Sequence, residues 1–354
     1  MKSNRWNEVS AGGVVPSFTE TNTVLAVDGV SVAFPAPDGV DGRVVRDVSL
    51  SVNRGQVLAL VGESGSGKTQ LALALLGMTS APGTVVAGHA MFGGKDILSM
   101  GAEELRRMRG AGIAMIFQDP LTALNPLVPI GTQITDVVRS HSSLSRKDAR
   151  VLAIEKLKEV GIADASQRLG DYPHQFSGGQ RQRILIAIAL ALAPEVILAD
   201  EPTTALDVTV QAEVLDRLTS LGREHDMGIV LVTHDLGLVA EYADQIAVMY
   251  TGRIVEYGSA IDVFDRPGHP YTRALMTASP GIRTRRGAVL ETIEGRPPSV
   301  AEMPAGCSFE PRCALSAGRQ SCKNERPALT VVGASHMAAC HFSDEVDPTV
   351  EEEW

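Results

Sequence analysis

Cysteine is scarce in this 354-residue chain: there are four, and all of them lie beyond residue 306. Aromatic residues are few, at 4%. Long apolar runs are missing as well. The longest, ILIAIALALA over 184–193, stops at Pro194 and Glu195, whereas a bilayer-crossing helix needs about 20 residues. The opening stretch MKSNRWNEVSAGGVVPSFTE has no apolar segment of the kind a secretory signal carries. These absences predict a cytosolic chain that meets a membrane only through a partner. In a reducing compartment, gathered cysteines are metal ligands or free thiols before they are disulfides. Basic charge is short too: 32 Lys+Arg against 42 Asp+Glu leave a formal net charge of −10. That balance disfavours a nonspecific nucleic-acid binder, which needs a basic face.

Patterning then gives the organisation. Residues 1–23 are polar with scattered Gly and Pro, and predict a loose tail. VLALVG (57–62), VILAD (196–200) and IVLVTH (229–234) are short, uninterrupted apolar runs. LALALLGM (71–78) and the spacing of Val210, Val214, Leu218 and Leu221 predict helices between them. Alternation of this kind implies a parallel sheet covered on both faces. IAVMYTGRIVEYG (246–258) predicts a hairpin turning at Thr251-Gly252. Beyond Gly258 the pattern weakens, so a boundary is expected there; the chain ends in DEVDPTVEEEW, an acidic tail.

GESGSGKT (62–69) matches G-x-x-x-x-G-K-[ST] between a predicted strand and a predicted helix. Gly62, Gly65 and Gly67 let the backbone curl so that N–H groups of Glu63, Ser64 and Ser66 can face phosphates. The helix N-terminus favours the anion. Lys68 would reach the β- and γ-phosphates and Thr69 would offer its hydroxyl to Mg²⁺. VILADE (196–201) brings two acids to the end of a buried strand. Asp200 suits Mg²⁺, and Glu201 suits a general base that polarises the attacking water. FSGGQRQR (176–183) supplies a second anion-facing helix start. Ser177 is a natural cap, and Gly178 and Gly179 allow close backbone approach beside Gln180.

With that string the chain resembles the ATP-binding cassette (ABC) ATPases. The resemblance spans residues 24–258 and implies a P-loop NTPase fold: an α/β RecA-like core with a mostly parallel sheet, an antiparallel β subdomain, and a helical subdomain over roughly 119–180. It further implies that Gln118 in IFQDP senses Mg²⁺ and the attacking water. His234 in VTHD would contact the γ-phosphate, Asp207 in ALD would touch a partner subunit, and Phe34 in SVAF would stack on adenine. The alternative is that Phe34 belongs to the core. Two such cassettes close head to tail on ATP, so one chain carries two half-sites.

VFDRPGHPYTRAL (263–275) and EGRPPS (294–299) resemble the peptide and nickel importer branch of that family. This implies that residues 259–354 form a small irregular extension. The expected function is ATP-driven import of di- or oligopeptides, at the cytoplasmic face of the inner membrane. The partners implied are a second ABC ATPase in a heterodimer, two permease subunits and an extracytoplasmic peptide-binding protein. Import of nickel or another small solute is the alternative; a soluble ABC ATPase acting on nucleic acid or ribosomes fits less well. GCSFEPRC with Cys322 and Cys340 also matches that branch. Cys307, Cys313, Cys322 and Cys340 could hold a [4Fe–4S] cluster or Zn²⁺. The absence of C-x2–4-C knuckles, and the resemblance, favour the cluster. Its expected role is a clamp on the tail, beyond the reach of the ATP chemistry, with His336 and His341 as surface residues.

Overall fold

The computed structural model of the chain describes residues 22–36, 41–204, 206–279 and 292–347. Most of the predicted N-terminal tail and the last residues of the acidic tail lie outside the described residues.

The chain opens with β1 (Thr23–Ala33) and β2 (Arg43–Asn53), paired antiparallel. Leu25, Val27, Val45 and Val48 are among the residues that turn inward. Next comes β3 (Val57–Val61), in which all five residues are buried. That is the pattern of a strand inside a sheet covered on both faces. It feeds a tight loop and α1 (Lys68–Leu75). β4 (Thr84–Phe92) and β5 (Lys95–Asp96) complete an antiparallel sheet of order β2-β1-β4-β5. α2 (Ala102–Met108) and β6 (Ile113–Ile116) return the chain to the main sheet.

Four helices follow: α3 (Pro120–Ala123), α4 (Ile130–His141), α5 (Arg146–Glu159) and α6 (Ala165–Arg168). Ile130, Ile134 and Val138 recur every fourth residue on α4, as do Ala149, Ala153 and Leu157 on α5. All six are buried in one cluster, so the two helices bury one stripe each against a shared core. α7 (Gly178–Leu190) is followed by Ala193 in a left-handed conformation, with φ 48°.

β7 (Val196–Asp200), α8 (Val208–Glu224), β8 (Gly228–Thr233) and α9 (Leu236–Tyr242) continue the alternation. β9 (Gln245–Tyr250) and β10 (Arg253–Ser259) form the predicted hairpin, and Thr251 and Gly252 take φ of 44° and 86° at its turn. β3 pairs parallel with β8 and β9, and β7 pairs parallel with β6 and β8. Their C-terminal ends therefore share one edge.

The chain past 259 does not stay apart. After α10 (Ala260–Asp265), α11 (Pro270–Ala278) and the short α12 (Gln320–Asn324) come β11 (Thr330–Gly333) and β12 (His336–Ala338). β12 pairs antiparallel with β10, which makes an eight-stranded sheet of order β11-β12-β10-β9-β3-β8-β7-β6. At this joint Glu256 is fully buried. It accepts from the N–H of Gly268 at 2.6 Å, the N–H of His269 at 2.9 Å and Nε2 of His336 at 2.6 Å. His336 is thus a buried partner rather than a surface residue: a buried carboxylate requires donors, and this histidine is one of them. His341 is bonded to the Glu325 carbonyl in an exposed setting.

Replacing Glu256 by Ala leaves buried donors without an acceptor, and is expected to lower the unfolding free energy by about 3–5 kcal/mol. Urea unfolding followed by circular dichroism measures this. A loss below about 1 kcal/mol, the range of a surface pair, would mean that the joint does not depend on the carboxylate.

Candidate active site

Loop 62–67 leaves β3 in conformations that an ordinary side chain resists. Gly62 has φ 156°, and a Cβ there would lie 2.1 Å from the Met249 carbonyl oxygen. Gly67, with φ 106°, caps α1, and a Cβ would come within 2.6 Å of the Val44 carbonyl oxygen. The backbone can make this curl only with glycine at both places. Lys68 is buried, and its Nζ bonds the carbonyls of Gly62 at 2.7 Å and Glu63 at 3.0 Å. Burial pushes its pKa below the usual lysine range, with Glu201, Asp200 and Glu63 pulling the other way. Ser64 and Gly65 are exposed and Ser66 is buried.

Thr69 Oγ1 lies 3.2 Å from Asp200 Oδ1. These oxygens, one opening α1 and one ending β7, are hard donors of the type Mg²⁺ takes. Burial pushes the Asp200 carboxyl above its ordinary value, an effect the Thr69 hydrogen bond opposes. A nearby cation would reverse it.

The next residue gathers the rest. Glu201 Oε2 accepts from Gln118 Nε2 at 2.7 Å and from the Thr204 hydroxyl at 2.9 Å, and Oε1 lies 3.2 Å from His234 Nδ1. Glu201 also has φ 46°, a left-handed backbone that costs a non-glycine residue free energy. Three loops, from the ends of β6, β7 and β8, thus converge on one carboxylate. The arrangement can hold a polarised water beside a metal-bound phosphate.

Ser177 and Gln180 form a reciprocal cap on α7, with the Gln180 N–H donating to Ser177 Oγ at 3.3 Å and the Ser177 N–H to Gln180 Oε1 at 3.0 Å. Ser177 and Gly178 are exposed. A Cβ on Gly179 would meet Val210 Cγ1 at 2.4 Å, so this helix start abuts α8. Asp207 caps α8 and accepts from the Val210 N–H at 3.1 Å. Phe34 follows β1 and is half-buried against the antiparallel sheet, with its ring against Gly83. A cavity of about 420 Å³ beside the loop is lined by Glu63 to Ser66 and by Arg43 and Val44, but not by Phe34.

The four cysteines are free thiols that line one pocket of about 320 Å³, walled by apolar groups such as Phe309, Leu315 and Phe342. Burial pushes the thiols of Cys307 and Cys313 up, and that of Cys340 up to about 11. Among the described residues, no group of three or more His, Cys, Asp or Glu side chains is set to hold a metal ion. Neither the cluster nor the zinc alternative therefore has a preformed site among the described residues. The pocket is not remote from the loop either. Arg312, beside Cys313, bonds both carboxylate oxygens of Glu63, at 2.7 and 3.0 Å. The expectation that this region lies beyond the reach of the ATP site is corrected by that contact. It joins residues 249 positions apart, and no local pattern in the sequence signals it.

Fold and site together define an ATP-binding cassette ATPase. A family model for ABC transporters matches residues 45–204, and one for the oligopeptide/dipeptide transporter C-terminal region matches 255–322. The oligopeptide transport ATP-binding protein OppD of Salmonella typhimurium is 43% identical over 90% of this chain and 93% of its own length. The dipeptide transport ATP-binding protein DppD of Escherichia coli is 43% identical over 90% and 96%. Among solved structures, cbiO1 of Clostridium perfringens, part of the ABC transporter complex cbiONQ, superposes with a TM-score of 0.60 at 26% identity, covering 69% of this chain and 91% of its own. The cassette MJ0796, a dimer in a post-hydrolysis state with ADP and Pi, gives 0.57 at 25%, covering 67% and 98%. The chain belongs to the oligopeptide/dipeptide family of ABC transporter ATP-binding proteins.

The backbone strain at Glu201 is testable by itself. Glu201→Gly and Glu201→Ala both remove the carboxylate, so their difference isolates the left-handed φ. The glycine variant is expected to be the more stable by about 1 kcal/mol. Equal melting temperatures, or a more stable alanine variant, would show that the position is unstrained.

Proposed function

We infer that this chain hydrolyses ATP to power import of di- or oligopeptides, as the ATPase subunit of a membrane transporter. The observation that carries the chemistry is the convergence of Gln118, Thr204 and His234 on Glu201, next to the Thr69–Asp200 pair. The amides of Gly62 to Thr69 hold the phosphates, and Lys68 leaves its carbonyl partners for the β- and γ-oxygens. Mg²⁺ between Thr69, Asp200 and Gln118 would neutralise charge on those oxygens. Glu201 takes the proton of the attacking water; Gln118 and His234 fix the carboxylate and the γ-phosphate. Ser177, Gly178, Gly179 and Gln180 present a second anion site outward, and Val208, 80% exposed beside Asp207, faces the same solvent. Both suit closure against a sister cassette, here a separate ATPase chain.

The peptide substrate follows from the relatives, whose names state oligopeptide and dipeptide transport. Among the described residues, no helix is long and apolar enough to cross a membrane. Permease partners therefore supply the channel, a binding protein outside delivers the solute, and this chain sits peripherally on the cytoplasmic face. Leu121 and Leu127, 62% and 83% exposed just after Gln118, provide an apolar surface for that contact. Residues 24–258 act as the nucleotide-binding unit and 259–354 as its extension.

We propose that the four cysteines hold a [4Fe–4S] cluster, a reading supported by their spacing without C-x2–4-C knuckles. The four cysteines line one apolar pocket, and the Phe342 N–H lies 3.4 Å from Cys340 Sγ. Amide donors to the sulfurs and low solvent exposure tune the reduction potential of such clusters. A bound cluster would tie Cys307, Cys313, Cys322 and Cys340 into a clamp.

Glu201→Gln is expected to lower ATP turnover by about 10²- to 10⁴-fold while ATP binding persists. Turnover within a few-fold of the parent chain would remove Glu201 from the base role. Anaerobically purified protein is expected to contain iron and sulfide in equal amounts, with a visible absorption band and a melting temperature that both fall in Cys313→Ser. Absence of iron, with an unchanged melting temperature in the variant, would refute the clamp.

A further inference from the structure

Arg312 is a buried cation that none of the chemistry above uses. Its side chain is only 3% exposed. Besides the two bonds to Glu63, its Nη1 lies 3.4 Å from the Tyr250 hydroxyl. Nε donates to the Glu294 carbonyl at 3.0 Å and Nη2 to the Ile293 carbonyl at 3.2 Å. A guanidinium fork with two parallel bonds to a carboxylate fixes both distance and orientation, which a lysine cannot do.

The residue it grips is held on every side. The Glu63 N–H donates to the Tyr271 hydroxyl at 2.8 Å, and its carbonyl accepts from Lys68. Tyr271 belongs to the HPYT string and Arg312 to GCSFEPRC, so two separate parts of the extension meet at the first residue of the loop's turn. Beneath them, Tyr250, Tyr271 and Phe309 pack with ring centroids 4.5 to 5.4 Å apart. The carbonyls that Arg312 bonds are followed, after Gly295 and Arg296, by Pro297 and Pro298. Those prolines, with Val300 and Met303, line the cavity that Glu63 to Ser66 form on the other side.

We propose that the extension completes the nucleotide site, and that Arg312 is the positioning residue that sets the phosphate loop through Glu63. This rests on reading residues 62–69 as the ATP loop. Lys68 moves from the Glu63 carbonyl onto phosphate when ATP binds, so the position of Glu63 decides where Lys68 starts and where the following amides point. Positioning of this kind acts on ground-state binding, because Arg312 lies behind the loop and not at the reacting atoms. By linkage, ATP must stabilise the seat of the extension by the same factor with which the seat tightens ATP.

The test is a double-mutant cycle on the full chain, titrated with a fluorescent ATP analogue and Mg²⁺. Arg312→Ala and Glu63→Ala are each expected to weaken binding about tenfold, and the double variant no further, since both remove one interaction. Arg312→Lys should recover part of the loss. Hydrolysis in the assembled transporter should show a raised KM with kcat within about twofold, as loss of uniform binding predicts. Binding within about twofold of the parent in Arg312→Ala and Glu63→Ala, or losses that multiply in the double variant, would overturn the proposal. Glu63→Ala leaves the core of the extension intact, so it decides the matter even where Arg312→Ala melts early. Lys68→Ala separates the two readings. If it binds ATP normally, the loop assignment itself fails; if it loses ATP while Arg312→Ala keeps it, only the positioning role fails.

Discussion

Parallel pairing of buried strands is the constraint on which the rest of the structure depends. β3, β7 and β8 have no solvent-facing side, so their register is set by packing on both faces. Because they run the same way, their ends deliver the phosphate loop, the Asp200–Glu201 pair and His234 to a single edge. Gln118 arrives from β6 on the same side. No contact between those residues has to be specified beyond the strand order, and a binding crevice at the carboxyl ends of the strands follows from it. The strain at Glu201 is held there by the same frame: its N–H bonds the Val232 carbonyl of β8 at 2.9 Å.

The far side of the sheet is built differently. β9, β10, β12 and β11 pair antiparallel in turn, and the last two strands come from the extension. Two buried charges hold it. Glu256 binds the return of the chain through His336, and Arg312 binds the phosphate loop through Glu63. Buried ions are costly unless fully bonded, and both of these are. They act beside an apolar cluster in which Val263, Tyr271, Leu275, Met276 and Phe309 of the extension pack against Ala59 and Val61 of β3. The region that carries the cysteines is therefore fastened to the catalytic core, which changes its meaning from an appendage to a wall of the site.

The sequence made the first of these halves readable and left the second dark. Five-residue apolar strands, a glycine loop before a helix, the Ser177–Gln180 cap and the Thr251-Gly252 turn are local, and periodicity or turn chemistry reveals each. Glu201, Gln118 and His234 were readable because strand ends and motif order placed them together. The stacking role of Phe34 came from the family resemblance alone; the ring's packing against Gly83, 49 residues along the chain, has no local signal. His336 looked like surface because HMA is too short to show a strand pattern, and its partner Glu256 lies 80 residues away. The Arg312–Glu63 pair is more distant still. Contacts of that range leave no mark on local composition, so nothing in the sequence of the extension signals that Arg312 reaches the nucleotide loop.

Hydrogen–deuterium exchange of the full chain, with and without a non-hydrolysable ATP analogue and Mg²⁺, tests the central claim most directly. The account predicts that nucleotide protects residues 62–69 and residues 292–313 together, since one clamp joins them. Protection of 62–69 alone, with exchange across 292–313 unchanged, would contradict it.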